Sequence, residues 1–301
     1  MRIHRMNNVR IVSLLPSTTE IICDLGLQDE LLGVTAECNW PAQVQVGREI
    51  VVRSFADAAM TPGEIDEYVR ARLSAGLDLY ELDDAALQRC DPDLILSQDL
   101  CRVCAVASGD VAAATARLNC HAEVLQIDPQ TLSDVLESIE TIASAANVAQ
   151  RGVEFVASLR RRLMEVLTAV HQLPRRRVFI LEWIEPPFGA GHWVPDLVVA
   201  AGGEPVLARP GDRSVAVTWE EIAAAQPEII VVAPCGFGLD QAGAQARMIL
   251  DLVPETTEVW AIDADAVMVR PGPRLVDGVE ALASLIHDVG ERRADVITRI
   301  R

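Results

Sequence analysis

A chain of 301 residues exceeds the usual size of one domain, and with half of its residues hydrophobic it can fill two cores of roughly 100–150 residues each. Its 44 acidic against 26 basic residues leave a net charge of −18, which argues against a reader of nucleic-acid phosphates, because that task needs clustered Lys and Arg. No run of about 18 apolar residues occurs, so no membrane-spanning helix is predicted.

The first apolar run, Ile11 to Pro16, is interrupted by Ser13 and is too short for a secretory leader. The seven cysteines, an odd number in a large chain, fit a reducing compartment better than a disulfide framework. A cytoplasmic location is therefore expected, or a periplasmic one if the true start differs.

Val9 to Leu15 reads as a strand, Pro16-Ser17-Thr18 as a turn, and Ile21 to Leu25 as a helix opened by Thr18-Thr19-Glu20 and closed by Gly26. Strands are predicted at Leu31 to Thr35 and Leu94 to Ser97, with helices at Met60 to Ala75 and Asp83 to Arg89 between them. Leu132 to about His171 predicts one long helix, with apolar residues at helical spacing and Gly152 as a local weak point.

Beyond Pro174 the alternation restarts with a strand at Val178 to Leu181 and helices at Pro195 to Ala201 and Thr218 to Ala225. Strands at Ile229 to Ala233 and Val259 to Asp263 follow, then a last helix at Leu275 to Val289. Helices alternating with short apolar strands predict mostly parallel sheets. Cys90 to Cys101 (CDPDLILSQDLC) and Ala225 to Gly236 (AQPEIIVVAPCG) share a Pro-acidic-apolar strand entry and a Cys-bearing exit, so the halves repeat in outline.

Open parallel sheets bind ligands beyond the carboxyl ends of their strands. The segments placed there are Pro16-Ser17-Thr18, Glu37-Cys38-Asn39-Trp40, Gln98 to Cys104 with Asp99, Glu182-Trp183 with Phe188, Gly191-His192-Trp193, Pro234-Cys235-Gly236-Phe237, and Asp263 to Arg270. Trp40, Trp183 and Trp193 fall in these loops although only 4% of the chain is aromatic, which favours flat apolar surfaces for a bulky ligand or, equally, aromatics closing the cores.

Cys38, Cys101, Cys104, Cys235 and His192 form a speculative set of soft metal ligands. Cys101-x-x-Cys104 lacks the second pair of a zinc site and remains a metal, redox or structural pair. Cys23, Cys90 and Cys120 read as small buried hydrophobes. Signatures of nucleophile elbows, phosphate loops, zinc proteases and dinucleotide folds are missing, so a non-enzyme is expected.

Arg10 to Leu27 (RIVSLLPSTTEIICDLGL) resembles the opening of class III substrate-binding proteins, the cobalamin and iron-siderophore partners of ABC importers. Glu37 to Pro41 (ECNWP), Glu185 to Gly203 (EPPFGAGHWVPDLVVAAGG), Gln226 to Val232 (QPEIIVV) and Arg270 to Leu282 (RPGPRLVDGVEAL) continue the likeness in order. The resemblance implies two Rossmann-like α/β lobes, residues 1–131 and 175–301, joined by one long helix over 132–174. A ligand would lie in a cleft between them, and acidic residues on the lobe tips would pair with transporter arginines.

It further implies that Pro16, Ser17, Thr18 and Trp40 wall the ligand on one side and Trp183, Phe188 and Gly191-His192-Trp193 on the other, with Arg270 and Arg274 of the RPGPR loop closing one edge. The function expected is binding of cobalamin, another corrinoid or a metal chelate by a monomer that requires no cofactor and possesses, in this resemblance, an ABC permease as partner. The alternative is an intracellular metal-handling or thiol-dependent protein using Cys38, Cys101, Cys104 and Cys235.

Overall fold

The computed structural model describes residues 9–55, 60–98, 108–118 and 120–301. The chain divides into two compact units, the first taking the chain up to Asp128 together with Glu137–Phe155, the second taking Pro129–Leu136 and Val156–Arg301.

The first unit runs β1 (Ile11–Ser13), α1 (Pro16–Asp24), β2 (Leu31–Thr35), β3 (Glu49–Ser54), α2 (Pro62–Ser74), β4 (Tyr80–Leu82), α3 (Asp84–Cys90), β5 (Leu94–Ser97), α4 (Ser108–Arg117) and β6 (Glu123–Gln126). Its sheet has the order β4-β3-β2-β1-β5-β6, parallel throughout except where β3 meets β4. Central strands of such a sheet are covered on both faces, which is why β5 is an uninterrupted run, Leu94-Ile95-Leu96-Ser97, with every residue buried. The first helix starts two residues earlier than expected: Pro16 takes its opening position, where a missing N–H costs nothing, so Pro16-Ser17-Thr18 is a helical turn rather than a loop.

The helical stretch after Leu132 is two helices, α5 (Leu132–Ala145) and α6 (Ala149–Val170), instead of the single long one expected. Asn147 adopts φ 61° between them, Val148 N–H reaches Ala143 O at 2.8 Å and Asn147 N–H reaches Ser144 O at 3.0 Å, the paired bonds of a Schellman stop. Asn is among the few residues other than Gly that enter the left-handed region cheaply. Gly152 is no weak point: a Cβ there would overlap the Cβ of Ala143, so the glycine lets α6 lie against α5.

The second unit continues with β7 (Arg177–Ile184), β8 (Pro187–Gly189), α7 (Val194–Ala200), β9 (Glu204–Pro205), β10 (Val215–Ala216), α8 (Trp219–Ala225), β11 (Ile229–Val232), α9 (Leu239–Met248), β12 (Glu258–Ile262), α10 (Ala264–Val267), α11 (Leu275–His287) and β13 (Ile297–Arg299). Its sheet has the order β10-β8-β7-β11-β12-β13, with β9 also on β7. The core strands β7, β11 and β12 are parallel, and the pairings β7–β8, β8–β10 and β12–β13 are antiparallel. Phe179, Leu181, Ile230 and Val232 pack on Ala242 and Ala246 of α9.

The repeat read between the halves has a physical counterpart in each unit. Helices α3 and α8 both end on a left-handed residue, Asp91 (φ 42°) and Gln226 (φ 48°), each followed by a proline and then a buried strand. In each, the backbone N–H of an arginine bonds to an acid that precedes the neighbouring strand: Arg10 to Asp93 at 2.9 Å, and Arg177 to Glu228 at 3.0 Å.

Candidate functional site

In the first unit the exits of β1 and β2 are tied together by buried hydroxyls. Ser13 Oγ lies 2.7 Å from Thr18 Oγ1, Thr19 Oγ1 donates to Ser13 Oγ at 2.8 Å, and Cys38 Sγ stands 3.1 Å from Thr19 Oγ1 and 3.3 Å from Thr35 Oγ1. Buried polar groups need partners, and these satisfy one another.

Ser17 and Thr18 lie in the first turn of α1 and are buried, and Cys38, 1% exposed, is held among the hydroxyls of Thr19 and Thr35. Pro16 is half-buried, while Glu37 and Trp40 are exposed, Trp40 at 44%. Asp99, Cys101 and Cys104 lie outside the described residues.

The second unit gathers more of the expected residues. Leu181 of β7 pairs with Gly189 of β8, but Trp183 pairs with Phe188, so β7 has one extra residue in the ladder, and that residue is Glu182. Such a bulge re-aims side chains at a strand end. Trp183 packs against Phe237, which follows β11, with ring centroids 5.8 Å apart, and its indole N–H donates to Glu185 O at 3.1 Å. Trp183, Phe188 and Phe237 are each partly exposed, so this edge has an apolar ledge.

Beside the ledge, Ala190–Trp193 and Arg209–Ser214 run against each other. His192 N–H donates to Asp212 O at 2.5 Å, and Gly211 N–H donates to His192 O at 3.0 Å. A Cβ on Gly191 would come within 2.5 Å of the Arg213 carbonyl carbon and 2.7 Å of Asp212 O, so only glycine allows this approach. His192 itself is strained into the left-handed region at φ 51°.

Glu182 lies under this junction. Its carboxyl accepts from Ser214 Oγ at 2.5 Å and from Gly191 N–H. The residue keeps some exposed surface, but the carboxyl is enclosed, and burial pushes it up to about 7 against the lowering effect of those two bonds. Burial, reinforced by the Arg213 charge, moves His192 the other way, below the ordinary imidazole value, so the ring is neutral at pH 7.

Trp193 is 6% exposed, and its indole N–H donates to Met268 O at 2.8 Å. Arg270 is turned onto Asp265 through two bonds of 3.1 and 2.5 Å, and Arg274 is partly buried at the start of α11. Cys235 is exposed at the β11 exit.

Among the described residues, which leave out Cys101 and Cys104, no group of three or more His, Cys, Asp and Glu could hold a metal ion. Burial raises both the Cys23 and Cys90 thiols to about 11, which keeps them protonated and inert. Glu182 and Phe237 lay in the strand-exit segments but were not singled out. Ser214 had no sequence signal, because its role depends on a pairing between loops.

Comparison with known proteins gives a consistent picture. A family model described as periplasmic binding protein matches residues 11–267. An uncharacterized ABC transporter substrate-binding lipoprotein of Bacillus subtilis is 26% identical over 92% of this chain and 80% of that protein. A vitamin B12-binding protein of Vibrio cholerae is 22% identical over 92% of this chain and 88% of its own. A periplasmic heme-binding protein from Pseudomonas aeruginosa superposes with a TM-score of 0.69 at 17% identity, covering 96% of this chain and 97% of that one. The expected cytoplasmic location is thereby corrected: the matching family is periplasmic and the Bacillus relative is a lipoprotein, which points to an extracytoplasmic location.

Proposed function

The chain belongs to the periplasmic binding protein family, and on that premise we propose that it binds a bulky cofactor-like ligand, a corrinoid or a haem-type iron chelate, and delivers it unchanged to an ABC permease. The observation that carries this reading is the ledge of Trp183, Phe237 and Phe188 at the carboxyl ends of β7 and β11, where parallel α/β sheets place ligands. A flat macrocycle matches such a surface in shape and polarity. The ligand class comes from relatives named for vitamin B12 and heme binding.

His192 adds chemistry to the ledge. It is partly exposed, its ring lies 5.7 Å from that of Trp193, and its neutral imidazole suits axial coordination of a macrocycle's metal. In the first unit, Pro16, Glu37 and Trp40 are the ligand-facing candidates that remain at strand exits.

Titration with cyanocobalamin and hemin, followed by visible absorption, tests the reading. The expected result is saturable binding of one of them, with a metal-centred band shift that His192→Ala removes. Absence of binding by folded protein at high micromolar ligand refutes the proposal, while binding with an unchanged spectrum in His192→Ala removes the axial role alone.

A further inference from the structure

The loop that carries His192 is closed into a ring of contacts with the start of α5. Four residues past His192, in the first turn of α7, the Asp196 carboxyl accepts from Leu132 N–H at 3.0 Å. Leu132 follows Thr131, whose Cγ2 would lie 3.8 Å from a Cβ built on Gly211, an ordinary contact distance. Gly211 N–H donates to His192 O at 3.0 Å, and His192 N–H donates to Asp212 O at 2.5 Å, which returns the ring to its origin. All of these residues belong to the second unit.

The Asp196 bond does more than cap a helix. The cap of α5 is complete without it: Asp134 N–H donates to Thr131 Oγ1 at 3.2 Å, while the Asp134 carboxyl accepts from Thr131 N–H at 2.9 Å and from Gln130 N–H at 3.0 Å. His192, in turn, sits at φ 51°, a conformation that a residue other than glycine keeps only where its surroundings over-determine it. Burial, and after it the neighbouring Asp134 charge, hold the Asp196 carboxyl above the ordinary aspartate range against the lowering effect of the Leu132 bond. The ring therefore uses Asp196 as an acceptor oxygen rather than as a negative charge.

We propose that Asp196 is a positioning residue: by fixing the first turn of α5 on α7 it keeps Thr131 over Gly211, and so holds the His192 backbone in the left-handed form that sets the direction of its imidazole. The value of that direction to a ligand rests on the reading of His192 as a macrocycle's axial partner, whereas the bracing stands on the ring of contacts alone.

The experiment has two arms. Without ligand, amide hydrogen exchange is followed by NMR in the native chain, Asp196→Ala and Asp196→Asn. The alanine variant should speed exchange at His192 and Gly211 by about two- to tenfold, the worth of one net hydrogen bond, while amides of β11 such as Val231 keep their native rates. The asparagine variant, whose side-chain oxygen still accepts from Leu132 N–H, should restore the native rates at both positions. With whichever of hemin or cyanocobalamin binds, Asp196→Ala should retain the macrocycle on the ledge but lose the metal-centred band that His192 supplies, and Asp196→Asn should keep both.

Faster exchange at Leu132 with His192 and Gly211 unchanged reduces Asp196 to a helix cap and overturns the bracing. Equal loosening in Asp196→Asn overturns the acceptor role, and loosening that extends to β11 shows a general loss of stability instead of a brace. A band lost in His192→Ala but intact in Asp196→Ala overturns the link from brace to ligand. Failure of both macrocycles to bind, or a band that His192→Ala leaves unchanged, refutes the ligand or axial reading, and the exchange rates still decide the bracing.

Discussion

Raising the pH from 5 to 8 should cost the second unit stability through Glu182 alone. In the unfolded chain this carboxyl titrates near 4.5, and in the folded protein near 7, so between those values the folded state retains a proton the unfolded chain has released. Its stabilisation is fully present below 4.5 and is lost as pH rises through about 7. At about 1.4 kcal/mol per pH unit the loss is about 3 kcal/mol, an upper value because the enclosure relaxes as water enters. For a unit of this size that corresponds to a fall in Tm of roughly 6–12 °C.

His192 acts with the opposite sign: its folded value lies below the ordinary 6.5, so its contribution improves as pH rises toward 6.5. Asp93, held near 2 by Arg10, has already ionised at pH 5. The difference between the native protein and Glu182→Gln isolates the carboxyl's share. Four of the five tryptophans, at positions 183, 193, 219 and 260, are in the second unit, so intrinsic fluorescence during urea or thermal unfolding reports on it. A stability difference between the native protein and Glu182→Gln that does not change between pH 5 and 8 would refute the enclosure of the carboxyl.

Four further outcomes are expected. Trp183→Ala should weaken macrocycle binding at least tenfold, as calorimetry would register, while Tm moves little because the ring is partly exposed. Gly191→Ala should destabilise the second unit by about 1–3 kcal/mol in urea unfolding, since its methyl would meet the backbone of Asp212 and Arg213. Gly152→Ala, which ordinarily strengthens a helix, should instead lower stability by about 1–3 kcal/mol because of Ala143. In the folded protein, alkylation mapped by mass spectrometry should mark Cys235 quickly and Cys38, Cys23 and Cys90 only after denaturation.

The strands that were legible beforehand are those covered on both faces, such as Leu94–Ser97 and Ile229–Val232, where burial imposes a continuous apolar run. Strands such as Tyr80–Leu82 and Val215–Ala216 were missed because they are short, partly or wholly exposed, and defined by pairing partners rather than by any local pattern. The stop at Asn147 escaped notice because Gly and Pro were the breakers sought, whereas the conformation needed only a residue tolerant of the left-handed region.

At the site, position relative to strand ends was readable and side-chain direction was not. Trp40 and Trp183 retain exposed surface and Trp193 does not, yet all three lay in loops of similar composition. Thr18 looked like a loop polar, and its buried hydroxyl belongs to a cluster with Ser13, Thr19 and Cys38, brought together from β1, α1 and the segment after β2. The bulge at Glu182 exists only through the register of β7 on β8, a long-range fact with no local signature. The location was misjudged because it was argued from a short first apolar run, and a family match over residues 11–267 outweighs it.

The most direct test of the account is calorimetric titration of the native protein and Trp183→Ala with cyanocobalamin and with hemin. One-to-one binding of either macrocycle by the native protein, weakened at least tenfold in the variant, is the predicted result. Folded native protein that binds neither, or a variant that binds as tightly as the native chain, would contradict it.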